Sequence, residues 1–138
     1  MVDALREARR VLKPHGVLID VRPLTTPMLI EVVGATRAIW EKEVDACSTP
    51  EDVAAADAAI RYALSEEWFS FERSSPFSLE IYCDTVTDLT AYAETRHLRE
   101  AAIPYEELEE RRRELAASGQ TVRLRCRRAW MVSTYRTN

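Results

Sequence analysis

Apolar residues recur at helical spacing at Val2, Leu5, Ala8, Val11 and Leu12, and that stripe predicts an opening amphipathic helix. Pro14 stops the helix and His15-Gly16 make the turn. The run Val17-Leu18-Ile19-Asp20-Val21 is apolar at odd and even positions alike up to Asp20. A strand wet on one face would alternate, so the run predicts a strand buried on both faces, as in a parallel α/β sheet. Met28 to Val33 is rich in β-formers, Gly34-Ala35 offers a turn, and Thr36 to Val44 offers a return strand. The reading is a hairpin, with a helix through Ile39 and Trp40 as its competitor.

Thr49-Pro50-Glu51-Asp52 combines an N-cap residue, proline at the first helical position and acids in the first turn. The stripe Val53, Ala56, Ile60 and Leu64 carries that helix to about Ser65. Trp68 to Phe71 reads as a short strand, broken at Ser74-Ser75-Pro76, and Phe77 to Cys83 as a strand buried on one face. Thr85 and Asp88 stand at capping-box spacing before Leu89, Tyr92 and Ala93. Pro104 opens a last helix with Leu108 and Leu115 inward, Glu107 and Glu109 each four residues before an arginine, and Gly119 at its end. Thr121 to Tyr135 predicts a long strand, with Val122, Leu124 and Cys126 on one face and Arg123, Arg125 and Arg127 on the other. The order is α-β-hairpin-α-β-α-α-β, taken as a single domain over residues 1–138.

The 138 residues, 46% apolar and 30% charged, suffice to bury a core without disulfides or metals. No apolar stretch approaches the ~20 residues a bilayer demands. A net charge of −4 gives no general attraction for nucleic acid or anionic lipid. Cys47, Cys83 and Cys126 form no C-x-x-C pair, and their odd number does not suit a disulfide framework. The expected compartment is reducing and cytoplasmic. The three glycines, Gly16, Gly34 and Gly119, are too widely spaced to form a phosphate-cradling loop.

Candidate chemistry is sparse. Asp20 and Arg22, at the end of the first strand, border a substrate pocket on one reading and form a buried ion pair or a solvated loop on the other. Trp68, Tyr82 and Trp130, with Trp40 and Tyr135, line an aromatic pocket for a flat ligand or else belong to the core. The row Arg123, Arg125 and Arg127 binds an anion or is salt-bridged to the plentiful acids. Two histidines, His15 and His97, define no metal site, and Cys47 lies in a loop with nothing nearby in sequence to lower its pKa. No nucleophile-base-orienter set is recognisable.

The segment from Ala4 to Asp20, with Arg10-Val11-Leu12-Lys13-Pro14-His15-Gly16 at its centre, resembles the late helix-turn-strand of class I S-adenosylmethionine-dependent methyltransferases. In that family the turn carries two glycines, and His15 stands in place of the first. The resemblance implies a Rossmann-like α/β fold in which the strands equivalent to 5-7-6 remain, flanked by helices and joined by an extra hairpin. It implies a chain truncated before the cofactor-binding half, since no position here matches the glycine-rich loop or the acidic ribose-binding residue. The expectation is a methyltransferase-related protein that does not bind S-adenosylmethionine or transfer methyl groups alone. The missing half would leave Val17–Val21 an edge strand without its usual neighbour, so the chain is expected to pair as a homodimer through that strand and the N-terminal helix. One alternative is a non-enzymatic homodimeric module that binds a small molecule or protein partner. Another is one subunit of a split methyltransferase, with the missing half as partner.

Overall fold

The computed structural model describes residues 1–45, 50–96, 98 and 103–138. The fold is mixed α/β, with four helices and a five-strand, largely antiparallel open sheet among the described residues. The elements are α1 (Val2–Val11), β1 (Val17–Pro23), β2 (Met28–Val33), β3 (Ala38–Val44), α2 (Pro50–Ser65), β4 (Phe69–Cys83), α3 (Val86–Thr95), α4 (Tyr105–Ala117) and β5 (Arg123–Thr137). Their order is the one the hydrophobic pattern predicts, and the hairpin β2–β3 stands where the helix through Ile39 was its competitor. The predicted N-cap Thr49, and with it Cys47 and His97, lies outside the described residues.

The chain divides into two compact units, one of Met1–Thr25, Thr49–Phe77 and Ala129–Asn138, the other of Thr26–Ser48 and Ser78–Arg128. In the first unit β1 runs antiparallel to β5, from Val17 opposite Arg136 to Pro23 opposite Trp130. Ala63, Trp68, Phe69 and Tyr135 form its buried centre, and Val2, Leu5 and Leu12 of the α1 stripe pack there with Leu18, Ile60 and Leu64.

The turn between α1 and β1 is held by the chain's other end. Thr137 N–H donates to the Gly16 carbonyl (2.9 Å), Thr137 Oγ1 to that of Lys13 (2.9 Å), and Arg136 to that of His15 (2.9 Å). His15 sits at φ 61°, the left-handed region that glycine occupies without a Cβ penalty.

Two expectations are corrected here. First, β1 is not buried on both faces and is not part of a parallel pair. It has β5 as its neighbour, antiparallel, and Val17, Ile19 and Val21 are 41%, 60% and 49% exposed. An unbroken apolar run reads the same whether a second layer covers it or not. Second, the two short strands around Pro76 are one, β4, fifteen residues long. β4 pairs with β5 and is exposed from Ser70 through Ser78, so the missing proline N–H breaks no buried ladder.

In the second unit β2 lies between β3 and β5, antiparallel to both. Ile30, Val32, Leu89, Leu108 and Leu124 are fully buried there. The capping box of α3 forms as predicted: Asp88 N–H donates to Thr85 Oγ1 (3.1 Å) and Thr85 N–H to Asp88 Oδ2 (3.0 Å). On α4, Glu109 pairs with Arg112 and Arg113, while Glu107 reaches Lys42 on β3. Each exposed pair is worth a few tenths of a kcal/mol, whereas burying a leucine is worth about 2 kcal/mol. Leu108 therefore holds α4 down more firmly than its charges do.

Candidate functional site

Asp20 and Arg22, two apart on β1, share one side of the strand, and α2 supplies a third member. Arg22 Nε donates to Asp20 Oδ2 and Arg22 Nη1 to Asp57 Oδ1, both at 2.7 Å. Burial alone would lower the Arg22 pKa, but the two carboxylates outweigh it and hold the guanidinium above its ordinary value. The cluster borders a cleft of about 290 Å³ walled by Leu5, Leu18, Ile19, Ala56 and Ile60. Such a cleft suits a small apolar group with one polar end, at the lower limit of ligand-sized cavities.

The aromatic candidates divide between the units: Trp68 and Tyr135 share the buried centre of the first unit, to which Trp130 also belongs, while Trp40 and Tyr82 belong to the second. Trp68 is buried in the core of the first unit, edge-on to Tyr62 (5.6 Å between centroids) with the Arg6 guanidinium 5.5 Å over its ring. Its position follows from the end of α2, where Trp68 N–H donates to the Ala63 carbonyl and Glu67 N–H to that of Leu64. Trp130 lies beside Phe77, with 6.3 Å between ring centroids. Its buried Nε1 has no hydrogen-bond partner among the described residues. Tyr82 belongs to the second unit, where its hydroxyl donates to Glu80 (3.0 Å).

The arginine row is salt-bridged, as one of its two sequence readings had it. Arg125 donates Nε and Nη2 to the two oxygens of Glu31, each at 2.7 Å, and Arg127 reaches the same carboxylate at 3.4 Å. Arg125 is also 3.7 Å from Glu80, and its pKa is held up chiefly by the bonds to Glu31 and then by Tyr82. Glu31 is only 1% exposed, and reasoning from sequence passed over it. Its signal was visible: one acid inside the apolar run Met28 to Val33, on a hairpin, in a chain with an arginine row.

Among the described residues no cluster of three or more His, Cys, Asp and Glu is placed to hold a metal ion. Burial pushes the Cys126 thiol up to about 12, and burial with Asp88 and Asp84 nearby also raises Cys83. Neither is a nucleophile at neutral pH. Among the described residues no helix is long and apolar enough to cross a membrane. The chain matches no family model, no curated protein and no solved structure.

Proposed function

We propose that these residues are the C-terminal, strand 5-7-6 part of a class I methyltransferase-like fold, a scaffold that does not itself take up S-adenosylmethionine or transfer a methyl group. The observation that carries the reading is the neighbourhood of β5, which pairs with β1 and β4 and, along its first residues, with β2. In the family's order the last strand pairs with the fifth and the sixth, and the pairing of β5 with β2 of the hairpin is additional to that order. The backbone at His15 adds support, since it takes a glycine-type conformation at the place where the resembled turn has glycine. Cofactor holding in that family rests on close backbone approach at a glycine-rich loop, and no such loop can be written with Gly16, Gly34 and Gly119. Calorimetric titration with S-adenosylmethionine and S-adenosylhomocysteine tests the reading. No heat of binding is expected, and stoichiometric uptake overturns it.

A second reading, a homodimeric module, is favoured by one observation. Among the described residues β1 has a strand neighbour on one side only, and Val17, Ile19 and Val21 are exposed. α1 packs its stripe within its own unit, so the pairing proposed is through β1. Molar mass by light scattering tests it.

A further inference from the structure

We propose that the concavity at the β2–β3 turn binds a small oxyanion, a phosphate or carboxylate group carried on a low-molecular-weight ligand. The proposal is independent of the methyltransferase reading. The cavity, about 380 Å³, is walled by the turn from Gly34 to Arg37, by Tyr82, and by Thr121, Arg123 and Arg125 of the last strand and its approach. Three arginines and no acidic residue are among its described lining residues.

The three arginines are not equivalent. Arg125 is engaged by Glu31 and Tyr82. Arg123 gives Nε to Asp84 (2.6 Å) and lies 5.2 Å over the Tyr82 ring, and its terminal nitrogens make no hydrogen bond to a described residue. The side chain of Arg37, exposed at the turn, has neither a hydrogen bond nor an ion pair with any described residue. Its carbonyl accepts from Gly34 N–H (2.9 Å), which closes the turn, and a Cβ at Gly34 would come within 2.8 Å of Ile39 Cδ1. The turn that carries Arg37 is therefore closed by a backbone hydrogen bond, with Ile39 beside Gly34.

Arg123, Arg125 and Arg127 are paired with Asp84, Glu31 and Glu80, whereas Arg37 has no ion pair with any described residue, so Arg37 is the cation at the cavity left without a countercharge in contact. A single cation without an ion pair, inside a chain of net charge −4, favours a small anion over a polyanion such as nucleic acid. A guanidinium presents parallel N–H donors that match carboxylate and phosphate oxygens.

The test is a nuclear magnetic resonance titration of the full chain with inorganic phosphate, with malonate, and with chloride at matched ionic strength, observing backbone amides and arginine Nε–H groups. Saturable shifts at Arg37, Arg123 and Thr121 are expected with phosphate, with malonate or with both, and that pattern tells a phosphate group from a carboxylate. Arg37→Ala should weaken binding about tenfold, the loss of one charge-assisted contact. Arg113→Ala, which removes the same charge on α4, should leave it unchanged. The proposal is overturned by absence of saturable shifts, by equal shifts with chloride, or by undiminished binding in Arg37→Ala.

Discussion

Arg125 on β5 grips Glu31 on β2 through two parallel hydrogen bonds of 2.7 Å, and the two residues stand directly opposite one another in the antiparallel register. A one-residue slip of β2 would turn Glu31 to the other face of the strand, away from its partner, so the pair fixes register as well as neutralising a buried charge.

Removing one partner of such a pair is costlier than removing both, because a buried charge is left alone. Arg125→Met is therefore expected to destabilise the chain by about 3 kcal/mol, the lower end of the range for a broken buried pair, since Arg127 remains near the carboxylate. The double change Glu31→Leu with Arg125→Met should cost less than the single one. Urea unfolding decides it: a cost below about 1 kcal/mol for Arg125→Met would show that Glu31 does not depend on this partner.

What was legible in the sequence was local. Pro50 starts α2, Thr85 and Asp88 cap α3, and Gly119 ends α4, because each signal acts within a turn of its own position. Layering was not legible: Val17 to Val21 carries the same letters at an open edge as in a buried strand. The candidate site divides the same way. Asp20 and Arg22 meet because they are two apart on one strand, but Asp57 lies 35 residues from Arg22 and Glu31 lies 94 from Arg125. Arg37 carries no signal in the sequence, because only the folded hairpin brings its turn beside Tyr82 and Arg123.

The ends of α2 and α4 form the same hydrogen-bonded cap with different residues at the left-handed position. Gly119 (φ 79°) closes α4 and Glu67 (φ 55°) closes α2. The left-handed conformation costs an L-residue about 1–2 kcal/mol, and glycine gives back about 0.5–1 kcal/mol through unfolded-state entropy. Glu67→Gly and His15→Gly should each stabilise by about 0.5 kcal/mol. Gly119→Ala should destabilise by about 1 kcal/mol, although nothing lies within 4 Å of the added Cβ, because the cost is in the backbone. Thermal melts that move in the opposite direction would refute the cap assignment.

Burial holds the Cys126 thiol neutral up to about pH 12 in the folded chain, while the unfolded thiol ionises near pH 8.5. Stability from this group is present in full below about pH 8.5 and is lost as pH rises toward the folded value, because only the unfolded state gains by ionising. Cys126→Ala should flatten the fall of stability between those limits. It should not abolish the fall, since Cys83 and Tyr92 are shifted in the same direction. Disulfide-exchange reagents at pH 8 should modify Cys83 and Cys126 only as fast as the chain opens. Rapid labelling of either, or an unchanged alkaline slope in Cys126→Ala, would refute the burial argument.

β1 offers the clearest surface for a second copy. An edge strand leaves a row of backbone donors and acceptors without strand partners, and natural edges are guarded by lysine, proline or a covering element. From Val17 to Arg22 there is neither lysine nor proline, and the outward side chains are β-branched and apolar. Pairing of two β1 strands about a two-fold axis would satisfy both rows at once. Light scattering at low micromolar concentration should give twice the 15.8 kDa chain mass. Ile19→Lys places a charge where two strands would meet, at the most exposed of the three outward residues, although Ile19 also edges the cleft beside Arg22. That variant should scatter as a 15.8 kDa monomer with an unchanged circular dichroism spectrum. A monomeric parent removes the pairing outright, and a dimer that survives Ile19→Lys places the contact on some other surface.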